Sequence, residues 1–156
     1  MSASPLVTVL LPVWNGASLP LTAEGEEPLR VAIRSLARQE AAPDAPVPGF
    51  EVLAVDDGST DGTAALLDAL AAEYPCLRVL HRPHEGLPGA LNAGLGSARG
   101  ALIARMDADD VCHPQRLALQ AAWMAEHPET GLLATRVHFG LSLIHISEPT
   151  RRTPIS

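Results

Sequence analysis

Phe50 to Thr63 reads FEVLAVDDGSTDGT, and the fold turns on this stretch. Phe50 to Val55 (FEVLAV) is an apolar, β-branched run of strand length, stopped by the turn chemistry of Asp56, Asp57 and Gly58. Ser59 or Thr60 is placed to cap a helix that continues through Ala64, Leu67, Leu70 and Ala71. A strand that turns sharply into a helix is the repeating step of an α/β sheet.

The same alternation extends in both directions. Upstream, Leu6 to Leu11 (LVTVLL) is a short buried-strand pattern ended by Pro12. After a polar loop over Gly16 to Glu27, Pro28 to Gln39 places Leu29, Ile33, Leu36 and Ala37 on one face and Arg30, Arg34 and Arg38 on another. That is an amphipathic helix with proline tolerated in its first turn. Downstream, Leu77 to Leu80 is a third strand and Pro88 to Ala98 a third helix. Ala101 to Met106 (ALIARM) is a fourth strand, and Pro114 opens a fourth helix through Leu117, Ala121 and Met124. Gly131 to Ala134 begins an expected fifth strand. The pattern predicts an α/β fold with a mostly parallel, Rossmann-like sheet and helices on both faces.

In such sheets ligands bind beyond the carboxyl ends of the strands, and the polar residues gather there. Pro12, Trp14 and Asn15 follow the first strand, Asp56 and Asp57 the second, and Asp107, Asp109 and Asp110 the fourth. Three carboxylates within four residues repel unless a positive charge lies between them. Mg²⁺ or Mn²⁺ is the neutraliser that hard oxygen donors prefer. A solvated loop with Asp110 capping the next helix is the plainer alternative. Asp56 and Asp57 either cap a helix or hydrogen-bond a nucleotide base or ribose. Trp14 either stacks on a heterocycle or simply packs. His81, His84 and His113 lack metal-ligand spacing and read as surface or packing residues, although His113 lies close to the acidic cluster. Asn92 stands mid-helix, where asparagine is a poor helix former; a hydrogen-bonding task and a tolerated surface position both account for it.

Composition narrows the field. The chain has 156 residues, a formal net charge of -7 and 47% hydrophobic residues. That suits one acidic domain with a sizeable core and argues against nucleic-acid binding. All eleven basic residues are Arg, so Schiff-base and phosphate-loop lysine chemistry is excluded. No apolar run is long enough to span a bilayer, and no secretory leader pattern opens the chain. Cys76 and Cys112 lack CxxC spacing, as expected of a reduced, cytoplasmic protein.

Composition also shifts near residue 140. Residues 1–140 hold 25 Ala and two Ile, whereas 141–156 (LSLIHISEPTRRTPIS) hold no Ala and three Ile. The final string resembles translated sequencing adapter, so 141–156 is expected to be a non-native or disordered tail and is set aside from the fold. Residues 1–140 then form a partial, truncated domain.

Four strings together resemble the family 2 glycosyltransferases of GT-A fold: VTVLLPVWNG (Val7–Gly16), VDDGSTDGT (Val55–Thr63), GLPGALNAGL (Gly86–Leu95) and ARGALIARMDADD (Ala98–Asp110). They occur in the family's order and cover essentially all of residues 5–135. The resemblance implies transfer of a sugar from a nucleotide-diphosphate sugar to an acceptor hydroxyl, usually with inversion. It places Pro12, Trp14, Asn15, Asp56 and Asp57 around the nucleoside, with Asn92 and Arg105 beside the donor. Asp107 would meet the donor diphosphate and, with Asp109 and Asp110, the Mn²⁺ or Mg²⁺ ion. The catalytic base would lie beyond Gly140, so this chain would hold the donor-binding half alone. A glycan, lipid-linked or protein acceptor, at the inner face of the membrane, is implied by family only. Two other readings stand beside it: a non-catalytic nucleotide-binding fragment, and a nucleotidyltransferase of similar fold. Against the latter, the first strand's exit lacks a basic phosphate-gripping loop.

Overall fold

The computed structural model describes residues 6–135; the expected tail lies outside them. Four strands form one parallel sheet in the order β3-β2-β1-β4: β1 Val7–Val13, β2 Phe50–Asp57, β3 Leu77–Arg82 and β4 Leu102–Arg105. The connecting helices are α1 Pro28–Ala37, α2 Thr63–Glu73, α3 Gly86–Ser97 and α4 Arg116–Glu126. Each strand feeds a helix that returns the chain to the same end of the sheet, which is what makes the pairing parallel.

Strand side chains alternate between two faces. On one face Val7, Val9, Leu11, Val52, Ala54 and Leu77 join Leu29, Ile33, Leu36, Leu67, Leu70 and Leu117 in the larger core. On the other, Leu10, Leu53 and Val55 pack on Ala90 of α3. Helices therefore cover both faces, as the alternation predicts. A Cβ on Gly94 would collide with Leu10 Cδ1, so a glycine is what lets α3 lie close to the sheet.

A polar knot closes the other end. Glu51 is buried, accepts from Thr8 Oγ1 at 2.8 Å and pairs with Arg78 Nε at 3.2 Å. The Arg99 and Gly100 amides donate to Glu51 and Thr8 at 2.9 Å each, which fixes the turn leading into β4. Burial pushes the Glu51 carboxyl up, but hydrogen bonds from Arg78, Arg99 and Thr8 outweigh it and hold the group below the usual range.

Several boundaries move from their sequence expectations. β1 runs through Pro12 to Val13, because β4 pairs only with Val7–Leu10 and leaves β1 one-sided beyond that point. Proline at such a site removes no rung on the open side. β2 includes both Asp56 and Asp57. The α2 start is served by Asp61, whose Oδ1 accepts from the Thr63 amide at 2.9 Å, not by Ser59 or Thr60. Helix α4 starts at Arg116, two residues after Pro114; its Leu117 amide is capped by Gln39 Oε1 at 3.0 Å, from the end of α1. Asp110 lies too far upstream to cap it. Gly131 to Ala134 forms no strand, and β4 stands as the open edge of the sheet among the described residues.

Candidate donor site

The loops after β1, β2 and β3 meet at one corner. Asn15 adopts a left-handed backbone (φ 51°, ψ 41°), a conformation asparagine accepts more readily than most residues. Its amide donates to Ser59 Oγ at 2.9 Å, and its Oδ1 accepts from the Thr60 amide at 2.8 Å. Ala17 and Ser18 donate to Thr63 Oγ1 and Asp61 Oδ2, each at 2.9 Å. The polar loop after β1 is thus laced to the start of α2.

The two aspartates of β2 face different tasks. Asp56 is buried; Oδ1 accepts from the Ser59 amide at 3.1 Å and Oδ2 lies 2.9 Å from His81 Nδ1. Burial raises its carboxyl, yet hydrogen bonds from Ser59 and His81 outweigh that and hold it below the usual range. Asp57, also buried, uses Oδ1 on the Glu85 amide at 2.8 Å and Oδ2 on the Gly86 amide at 2.9 Å. A carboxylate across the first amides of a helix answers both its open donors and its dipole. Asp57 therefore ties β2 to the beginning of α3.

Between these loops lies a half-open cavity of about 170 Å³, lined by Pro12, Val13, Trp14, Asp57, His84, Gly86, Leu87 and Ala90. Whole ligand sites span roughly 300–1,000 Å³, so this one accommodates a ring system and leaves the rest of a ligand outside. Trp14 is 57% exposed and stacks on His84 with ring centroids 5.0 Å apart. The Gly58 turn has φ +66°, and a Cβ there would lie 2.5 Å from the His84 backbone nitrogen. Glycine is what brings the β2 and β3 loops together.

Three of the expected nucleoside residues, Pro12, Trp14 and Asp57, line this cavity. Asn15 and Asp56 stand behind it, holding loops. Asn92 is exposed on α3, outside the lining. The sequence reads His84 as a surface or packing residue, yet it lines the cavity. The signal for it was position: it follows the end of β3 on the same carboxyl edge as Trp14 and Asp57.

The acidic turn follows β4, next to β1 in the sheet. Asp107 to Asp110 form a tight turn, closed by the Asp110 amide on the Asp107 carbonyl at 3.2 Å. All three carboxylates are exposed, and Arg105 Nη2 lies 2.8 Å from Asp107 Oδ1. Among the described residues no three His, Cys, Asp or Glu groups converge as a complete metal cage. The donors still suit the ion in kind: Mg²⁺ typically takes one or two carboxylates and lets substrate phosphates and water fill the shell.

Fold and site together define an α/β domain with an aromatic pocket and an acidic turn on the carboxyl edge of a parallel sheet, the edge where such sheets take their ligands. The chain belongs to glycosyl transferase family 2, whose sequence model matches residues 8–154. It is 31% identical over 153 residues to the amylovoran biosynthesis glycosyltransferase AmsE of Erwinia amylovora, covering 97% of this chain and 52% of that protein. Among solved structures, S. aureus TarS in complex with UDP superposes with a TM-score of 0.62 at 28% identity, covering 78% of this chain and 32% of that one. The mannosyltransferase PcManGT from Pyrobaculum calidifontis, in complex with GDP-Man and Mn²⁺, gives a TM-score of 0.63 at 27% identity, covering 80% and 33%. The fold is that of the GT-A glycosyltransferases. The chain spans about half or less of the length of the curated relatives it matches. No helix among the described residues is long and apolar enough to cross a membrane.

Proposed function

We propose that this chain carries the donor-binding half of an inverting, metal-dependent glycosyltransferase that moves a sugar from a nucleotide-diphosphate sugar to an acceptor hydroxyl. One observation carries the reading: the Trp14 pocket and the Asp107–Asp110 turn flank the same strand, β1, on one sheet edge. A nucleoside in the first and a diphosphate at the second would lie end to end. AmsE is named for amylovoran biosynthesis, and TarS and PcManGT are seen with UDP and with GDP-Man, which supports a nucleotide-linked donor here.

In this reading Pro12 and Trp14 hold the base, Asp57 faces the nucleoside, and Asn15 and Asp56 keep their loops in place. Asp107, Asp109 and Asp110 would hold Mn²⁺ or Mg²⁺ against the diphosphate, with Arg105 and Asn92 flanking the donor. When bound, the ion supplies positive charge to the departing diphosphate. The acceptor oxygen attacks the anomeric carbon as the bond to the diphosphate breaks, and a carboxylate beyond Gly140 takes the hydroxyl proton. A cytoplasmic setting, with a glycan or lipid-linked acceptor at the inner membrane face, belongs to the same proposal.

Calorimetric titration with UDP and GDP, with and without Mn²⁺, tests it. Metal-dependent binding of either is expected, and Asp109→Asn should weaken it at least about ten-fold, the lower end of what disturbing even the groups behind a metal ligand costs. No binding by chain shown to be folded would overturn the proposal.

A further inference from the structure

Two carboxylates bracket the His81 ring. Nδ1 lies 2.9 Å from Oδ2 of buried Asp56 on β2, and Nε2 lies 3.0 Å from Oδ1 of exposed Asp68 on α2. Carboxylates only accept, and a neutral imidazole has one N–H, so only the protonated ring donates to both. Hydrogen bonds to Asp56 and then Asp68 favour that form against the opposing effect of burial. Arg82, the next residue along β3, pairs with Glu85 instead. The chain of contacts continues past Asp56. Its Oδ1 accepts from the Ser59 amide at 3.1 Å, and Ser59 Oγ accepts from the Asn15 amide at 2.9 Å. That amide belongs to the peptide joining Trp14 to Asn15. With Trp14 57% exposed, its place at the cavity depends on how this backbone is held.

From this geometry we infer that His81 is a positioning residue for the donor pocket, steadying the Trp14–Asn15 peptide through Asp56 and Ser59, so that nucleotide affinity follows the protonation of its ring. His81 itself lies outside the cavity lining. The inference rests on the donor-site reading above and adds its regulation by pH. When the ring loses one proton, the other stays toward Asp56, because that carboxylate is buried whereas water can replace the bond to Asp68. The tie to α2 is then lost, and the buried Asp56 carboxylate is left without an opposing charge. Affinity is therefore greatest with the ring protonated and falls as pH rises through its titration.

The test is calorimetry with UDP and GDP in Mn²⁺ from pH 5.5 to 8, on wild type, His81→Gln and Asp68→Asn. The nucleotide phosphates, Asp57 and His84 titrate in all three proteins, so the comparison isolates His81. Wild-type affinity is expected to fall at least about three-fold more across the range than that of His81→Gln, the lower end of one hydrogen bond. Asp68→Asn alters an exposed residue and should move the midpoint of the wild-type profile to lower pH, which a merely structural contact would not do. A constant ratio between wild type and His81→Gln would overturn the inference and leave the donor site standing. If His81→Gln does not fold, an unchanged midpoint in Asp68→Asn would do the same. Absence of binding at every pH by folded wild-type chain would overturn both.

Discussion

His81 Nδ1 lies 2.9 Å from Asp56 Oδ2 and joins β3 to β2 just below the candidate pocket. The far ring nitrogen, Nε2, lies 3.0 Å from Asp68 Oδ1 on α2. One imidazole thus connects two strands and a helix through two carboxylates.

That bridge makes stability depend on pH in a defined direction. Hydrogen bonds to Asp56 and then Asp68 raise the His81 pKa against a smaller effect of burial. A raised histidine contributes fully below its unfolded-state value and loses the contribution as pH climbs through its folded-state value. Asp56, whose pKa is lowered, contributes above its unfolded-state value and loses it as pH falls through the folded one. The bridge is therefore strongest between the unfolded-state values of a carboxylate, about 4, and of histidine, about 6.5. Urea unfolding is expected to show wild type losing more stability than His81→Gln between pH 5.5 and 8.5. Parallel curves for the two proteins would rule the bridge out as the source.

Asp57 should be needed for the pocket wall to form. Asp57→Asn turns one acceptor into a donor that confronts an amide of Glu85 or Gly86. Leaving a buried partner unsatisfied costs about 1–3 kcal/mol, read as a lower urea midpoint at constant slope. Nucleotide binding should weaken with it, since the loop carrying His84 loses its anchor. A stability change under about 0.5 kcal/mol, the range of ordinary surface substitutions, would show that the amides find other partners.

Gly58 and Gly25 form a matched pair. Both have positive φ, +66° and +79°, but a Cβ at Gly58 meets the His84 backbone at 2.5 Å whereas at Gly25 nothing lies within 4 Å. Alanine at Gly25 should cost only the left-handed backbone penalty, about 1–2 kcal/mol. Alanine at Gly58 should cost clearly more and also reduce nucleotide binding, because the loop must move off His84. Thermal unfolding of both variants decides it; equal losses would mean the β3 loop yields freely.

The parts of this protein legible along the chain are those set by neighbouring residues. The apolar runs before Pro12 and before Asp56-Asp57-Gly58 mark the strands, though not their ends, and the spacing of Leu29, Ile33 and Leu36 marks a helix face; both follow from the period of the local backbone. The alternation of such pieces requires a parallel sheet, so the gathering of Trp14, Asp57 and Asp107 at the carboxyl edge follows as well.

What only the tertiary structure decided is which groups satisfy one another across distant segments. The pattern assigns the cap of α2 to Ser59 or Thr60, but Gly62 holds that position and Asp61 takes the Thr63 amide, while Gln39 takes the Leu117 amide of α4 from 78 residues away. The family resemblance places Asn15 at the nucleoside, and in the structure its Oδ1 also holds the Thr60 amide; His84 carries no motif spacing and lines the pocket. Buried donors and acceptors must find partners, and the candidates are set by proximity in space, which local periodicity does not encode. Composition and pattern built the sheet and its polar carboxyl edge, whereas long-range hydrogen bonds decided which side chains hold that edge together.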